Sequence, residues 1–187
     1  MRLLFLVTGA AVLLAGCGKS EPTVKARAAT AGEVAEKVRE AGADQSIVRP
    51  GLWESKVTID QLDMPGVPPE MLQRMKAMMA ERQEHSFQTC LTAEDVKRPK
   101  EDFFAGKNNE CRYDNFTMGG GKIDAVMHCG KGGASQTMQM AGTYSPDSYQ
   151  MQMSTKSEPA KGQEAGAMSM QMRVQANRIG ECSAKQG

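Results

Sequence analysis

Methionine and cysteine are the residues through which this sequence could do chemistry. Fifteen of its 187 residues are methionine. Seven fall on alternate positions in three short runs: Met138 and Met140, Met151 and Met153, then Met168, Met170 and Met172. Glutamine, serine and arginine fill the gaps between them. A thioether is a soft ligand that selects Cu(I), an adaptable apolar filler and a group that oxidises reversibly to a sulfoxide. Three uses of the runs follow: a packed core, a deformable groove for an acyl chain or hydrophobic peptide, or a Cu(I) site shared by facing strands. Copper has two points against it. A buried stripe is not a flexible Met-x-x-Met loop, and no histidine shares the stripe's parity. Nothing in the spacing selects for a role as oxidant sink.

The five cysteines divide into one and four. Cys17 follows Met1-Arg2, an apolar run over residues 3–15 and the ending Leu14-Ala15-Gly16. A basic start, a short apolar core and small residues before the cut make residues 1–16 a signal peptide. The small-small-Cys ending is a bacterial lipobox. It predicts cleavage before Cys17 and acylation, with palmitate among the chains, of the Cys17 thiol and amine. The partner so implied is a membrane, held through the N-terminal lipid. Gly18 in place of Asp points to the outer membrane, on the periplasmic side of the envelope. Cys90, Cys111, Cys129 and Cys182 remain, an even set in an exported chain, which predicts two disulfides. Zinc is the rival reading, but no Cys-x-x-Cys spacing occurs. Strand parity turns Cys90 and Cys111 outward together and groups Cys129 with Cys182, so the expected pairs are Cys90–Cys111 and Cys129–Cys182. A single β-bulge would reverse that assignment.

Other chemistry is thin. His85 and His128 are the only histidines, and His128 reads as a solvated sheet residue. No Gly-x-Ser-x-Gly nucleophile elbow is present. Asp60, Asp63, Glu94, Asp95 and Asp124 read as turn or surface residues rather than a catalytic pair. Loss of Arg2 with the signal peptide leaves 22 basic against 22 acidic residues with no basic cluster, which argues against nucleic acid as a partner. The expectation is a non-enzymatic protein with no cofactor and no metal, whose partner is a hydrophobic small ligand or an envelope protein.

The elements that position these residues are mostly strands. Period-2 alternation puts every methionine of a run on one face, as in a half-buried antiparallel sheet. Residues 17–46 read as a lipidated start and flexible tether, rich in Lys, Glu, Ala and Ser, with at most a short helix over residues 33–41. Trp53, Val57 and Ile59 alternate in a first strand, with Trp53 as a core anchor. Pro68-Pro69-Glu70 opens an amphipathic helix whose Met71, Leu72, Met75, Met78 and Met79 share one face. Thr92-Ala93-Glu94-Asp95 has the shape of a helix start. Phe103-Phe104 reads as a plug at the core edge. Glycine turns then separate successive strands to residue 179. The expected fold is α+β, mainly β: a curled antiparallel meander sheet of about seven strands with one amphipathic helix packed on it. The β-rich domain spans residues 47–183, and residues 184–187 form a tail.

Several of these residues, taken in serial order, resemble a family pattern. Pro50-Gly51-Leu52-Trp53-Glu54, the Met-rich helix, Cys90-Leu91-Thr92, Asp102-Phe103-Phe104 and Cys111-Arg112-Tyr113 come first. Gly121-Lys122-Ile123-Asp124-Ala125, Gly142-Thr143-Tyr144-Ser145-Pro146-Asp147-Ser148-Tyr149 and Gly180-Glu181-Cys182 complete it. Together they look like the domain of unknown function 3617 family of exported bacterial proteins, over about residues 49–182. The resemblance implies export, often as a lipoprotein, and brings no catalytic residues.

Overall fold

The period-2 alternation after Cys111 folds as five consecutive strands: β4 (Cys111–Gly119), β5 (Lys122–Lys131), β6 (Ala134–Ser145), β7 (Ser148–Glu158) and β8 (Met168–Gly180). Each pairs antiparallel with the next, as short connections require. The structure is a computed structural model that describes residues 23–41, 48–83, 86–97, 111–162 and 166–183. Residues 1–16, expected as a signal peptide, Cys17, His85, Phe103-Phe104 and residues 184–187, expected as a tail, lie outside the described residues. β2 (Gly51–Asp63) lies beside β8, β3 (Phe87–Leu91) beyond β2, and β1 (Val24–Thr30) against β4. The result is one open antiparallel sheet of eight strands in the order β1-β4-β5-β6-β7-β8-β2-β3. Three helices accompany it among the described residues: α1 (Ala31–Glu40), α2 (Pro69–Gln83) and α3 (Ala93–Lys97).

The fold is mainly β, but seven strands and one helix undercounts it, and the difference lies in the segment expected as a tether. Within residues 17–46, β1 and α1 are ordered parts of the domain. β1 hydrogen-bonds along β4 from Val24 opposite Met118 to Thr30 opposite Arg112. Thr30 then starts α1 with a capping box: the Glu33 N–H donates to Thr30 Oγ1 at 3.2 Å, and the Thr30 N–H donates to Glu33 Oε2 at 2.6 Å. Val34 and Val38, one turn apart, are 0% and 1% exposed. They join Val24, Ala26 and Ala29 of β1 and Tyr113, Phe116, Met118, Ile123, Ala125 and Met127 of β4 and β5 in one buried cluster. The segment needs few large side chains because its small ones sit directly on an apolar sheet. Tether character was inferred from composition, and composition says nothing about a neighbouring strand.

The helix expected to pack on the sheet behaves differently. α2 lies beside β2, with Leu72, Met75 and Met79 half-buried and no residue over 69–81 fully buried. Met71 and Met78, at the edge of its apolar arc, are 56% and 62% exposed. α1, rather than α2, is the helix that closes the core. α3 begins as its sequence suggests: the Asp95 N–H donates to Thr92 Oγ1 and the Thr92 N–H to Asp95 Oδ2, each at 3.1 Å.

All four cysteines of the domain are in disulfides, but the pairs are Cys90–Cys182 and Cys111–Cys129. The expected pairing fails at a β-bulge. Tyr113 stands opposite Met127 while Asn115 stands opposite Val126, so Asp114 is an extra residue on β4. It reverses parity between Cys111 and Phe116, and both end up buried, at 4% and 1%. Cys111 then faces Cys129 directly across the ladder. Cys90 on the edge strand β3 reaches over β2 to Cys182 beyond the end of β8. The bridges span 18 and 92 residues. Their loop-closure contributions are about 3 and about 5 kcal/mol in the chain-entropy treatment.

A buried α1 makes a direct prediction. Val38→Asp would bury an unpaired carboxylate, which costs about 3–5 kcal/mol, or roughly 6–20 °C of melting temperature for a chain of this size. Circular dichroism melts check it; an unchanged melting temperature would mean that residues 31–40 are a tether after all.

Candidate functional site

Register places the seven methionines of the three runs on one side of the sheet. Met140 is opposite Met153, and Met153 is opposite Met172, which faces Ile59 on β2. Met138 shares the next row with Met127, Thr155, Met170 and Leu62. Met151 lies between Gly142 and Val174, and Met168 opposite Ser157. Residues directly opposite on neighbouring antiparallel strands point to the same face, with Cβ atoms about 4.5–5.5 Å apart.

All seven are half-buried, and they fall into two groups. Met138, Met140 and Met151 pack against the buried cluster under α1. Gly142 makes room for this: a Cβ there would fall 2.4 Å from Met151 Sδ and 2.3 Å from the Gln150 carbonyl oxygen. Met153, Met168, Met170 and Met172 stand farther along the face, outside that cluster. Two open grooves of about 500 and 400 Å³ lie on the opposite, polar face, among the glutamines that alternate with these methionines. Sequence reasoning passed over that face, although the alternation that turns Met inward turns Gln outward.

The polar face carries two further constellations. Arg173 donates to both oxygens of Asp60, with Nε at 2.8 Å from Oδ2 and Nη2 at 2.6 Å from Oδ1. Those hydrogen bonds hold the Asp60 carboxyl below its ordinary range and raise the Arg173 guanidinium. Near the other end of the strands, His128 sits between Asp114, 2.9 Å from Nε2, and Thr137 Oγ1, 2.9 Å from Nδ1. An Asp–His–Thr set resembles the parts of a nucleophilic triad. Here it stands on a solvated strand surface, with Asp114 59% and His128 49% exposed. Strands β4, β5 and β6 are flanked on both sides, so their N–H groups are committed to ladders rather than aimed at an oxyanion. Among the described residues, no group of three His, Cys, Asp or Glu side chains could hold a metal ion.

Three of the motifs that carry the family resemblance, those at residues 50–54, 142–149 and 180–182, meet at one end of the sheet. Trp53, 2% exposed, donates from Nε1 to the Arg49 carbonyl at 3.0 Å and stacks on Tyr149 with ring centroids 5.7 Å apart. The Arg49 guanidinium makes a two-pronged ion pair with Asp147, and the Arg49 N–H donates to the Pro146 carbonyl at 2.8 Å. Arg178 donates from Nε to the Pro50 carbonyl at 2.7 Å and from Nη2 to Glu181 Oε1, and its backbone N–H donates to the Asp147 carbonyl at 2.8 Å. Gly51, at φ +144°, passes so close that a Cβ would fall 2.5 Å from Arg178 Nε and from the Gly180 carbonyl. The strand entry, the β6–β7 turn and the end of β8 are thereby clamped together. The family model described as "Protein of unknown function (DUF3617)" matches residues 48–182. The chain belongs to the DUF3617 family. No curated protein and no solved structure matches it. The matched stretch starts after β1 and α1, so in this DUF3617 protein the strand and helix that close the core precede the region its family pattern describes.

Tyr113 offers a handle on that closure. It is 2% exposed and packs edge-on against Phe116 at 5.5 Å. Burial pushes its phenol up to about 12, because ionisation would put a charge in an apolar site. The folded value lies above the unfolded one of about 10. The contribution of Tyr113 to stability is therefore complete below pH 10 and is lost as pH rises towards 12. Denaturant melts across that window should show a decline that the Tyr113→Phe variant lacks; equal decline in both would show the phenol to be solvated.

Proposed function

We propose that this DUF3617 protein is a non-enzymatic binding or maintenance domain of the bacterial envelope, lipid-anchored through Cys17 on the periplasmic side of the outer membrane. Its Met-rich face is the contact surface. The observation that carries the reading is the second group of methionines: Met153, Met168, Met170 and Met172 share a face, remain half-buried and lie outside the cluster that α1 covers. Thioether side chains repack around varied apolar partners, which suits a hydrophobic small ligand or an envelope protein. Two disulfides suit an oxidising compartment. The position of β1 also alters the picture of the anchor. Val24 lies seven residues after Cys17, so the chain between lipid and sheet could extend no more than about 25 Å. Such an anchor holds the domain close to the bilayer rather than on a long leash.

Metabolic labelling with a palmitate analogue tests the anchor. The wild-type chain should take up label and sediment with membranes, and Cys17→Ser should do neither. Label retained by the variant would remove the anchor from the proposal.

A second reading is favoured by one row. Met140, Met153 and Met172 stand side by side on β6, β7 and β8, which sets three thioethers across neighbouring strands where one Cu(I) could bridge them. On this reading the protein withholds Cu(I) from a competing chromogenic chelator, and replacing the three by Leu cuts the amount withheld at least tenfold. Equal withholding by the Leu variant would discard copper and leave the hydrophobic contact surface.

A further inference from the structure

Among the described residues, only two methionines are fully buried. Met118 and Met127 are 2% and 5% exposed, within the cluster that α1 covers. Every other described methionine is half-buried or exposed. Four of these adjoin in one patch. Met153 stands opposite Met172, and Met168, Met170 and Met172 follow one another along one face of β8. α1 packs on β1 and β4, and α2 on β2. The patch therefore falls on strands between those that carry the two helices.

Leucine could fill such positions. Leu62 lies opposite Met170 in the same row and is 5% exposed. A Leu for Met exchange conserves volume but leaves an inert hydrocarbon. The thioether is different, because it oxidises reversibly to a polar sulfoxide. Spacing does not select that chemistry, but accessibility does. An oxidant reaches a half-buried thioether and is kept from one inside the packed cluster.

The patch can also hold the oxidised product. Thr155 lies between Met138 and Met170, and Ser157 opposite Met168. Directly opposite side chains have Cβ atoms about 4.5–5.5 Å apart, and each hydroxyl has one hydrogen to donate. A sulfoxide oxygen on Met168 or Met170 thus has a donor on the neighbouring strand. Met153 and Met172 are half-buried, so theirs reach water. Within the cluster the same oxygen would be an unpaired buried acceptor, which destabilises.

We infer that Met153, Met168, Met170 and Met172 form a reversible oxidation site that switches the apolar contact face off. The oxidant is a peroxide. The thioether sulfur attacks one peroxide oxygen, the O–O bond breaks and an S–O bond forms. Sulfur gives up two electrons, and with hydrogen peroxide the second oxygen takes the remaining proton and leaves as water. A dithiol reverses the step: it becomes a disulfide, and the sulfoxide oxygen leaves as water. Polar sulfoxides across the patch oppose its burial against an apolar partner. The inference rests on the contact surface proposed above and adds its regulation.

The test uses the chain from residue 17 onward with Cys17→Ser, which carries no lipid to take up an apolar probe. The reagents are hydrogen peroxide and the fluorescent probe 1-anilinonaphthalene-8-sulfonate. Peptide mass spectrometry should find one oxygen on each of the four methionines at doses that leave Met118 and Met127 unmodified. The oxidised chain should keep its melting temperature and bind the probe at least tenfold more weakly. Methionine sulfoxide reductases with a dithiol should restore binding. Met71 and Met78 are exposed on α2 and oxidise too, so the Met71→Leu, Met78→Leu variant is the control and should respond as the parent chain does. Four unmodified methionines in the folded chain would overturn the inference. So would undiminished binding after oxidation, a lowered melting temperature, or a response that disappears in the α2 variant. Unoxidised chain that binds no probe has a separate meaning: it removes the contact surface itself, and the switch with it.

Discussion

A single-layer sheet has two faces, and water will tolerate only one of them being apolar. Every other feature of this molecule answers that constraint. The apolar face runs from Val24 across Met118, Ile123, Met151 and Val174 to Val57, the full width from β1 to β2. One ten-residue helix, α1, covers its β1–β4 end and drives Val34 and Val38 to essentially complete burial. The far end depends on Trp53, sealed by its hydrogen bond to Arg49 and its stacking on Tyr149. Between these two ends the face is carried by methionine, an adaptable apolar side chain, with Leu62 and Thr155 buried in the row of Met138 and Met170.

The strands were legible in the sequence because alternation is enforced at every residue: a slip of one would put Met153 in water and Gln152 against the core. The fold class, the β-meander from Cys111 onward and the shared side of the seven methionines all follow from that single rule. What escaped was set by something other than alternation. Residues 24–40 look like a linker by composition, since Ala26, Ala29 and Ala31 are small and Lys25 and Arg27 are charged. The clues were present in other forms: Thr30 and Glu33 make a capping box, and Val34 and Val38 are one turn apart. Those signals mark a helix, but not that an apolar β4 waits 80 residues downstream to receive it. The disulfide pairing failed for an equally local reason, one extra residue at Asp114. The opposite Ala28, at φ +48°, is carried along by the same dislocation, which moves Cys111 and Tyr113 onto the side of Phe116.

The two cystines sit where such a sheet is weakest. Cys111–Cys129 lies beside the bulge, where the β4–β5 ladder is interrupted. Cys90–Cys182 ties down β3, an edge strand of five residues with Phe87 50% exposed. A short edge strand held only by β2 would fray readily, and a covalent link to the end of β8 restrains it without adding any apolar surface.

The clamp formed by Arg49, Gly51, Asp147, Arg178 and Glu181 bears on where function can lie. Gly51, Asp147 and Glu181 belong to the motifs on which the DUF3617 resemblance rests, and Arg49 and Arg178 tie them together: guanidinium on carboxylate, backbone on backbone, glycine under arginine. A pattern of this kind specifies how the sheet closes at one end. The surfaces with unspent capacity are the two faces, one offering thioethers outside the core cluster and the other offering carboxamides with no partner among the described groups. They share the same strands, so a ligand that flattened or twisted the sheet on one side would reset the spacing of side chains on the other.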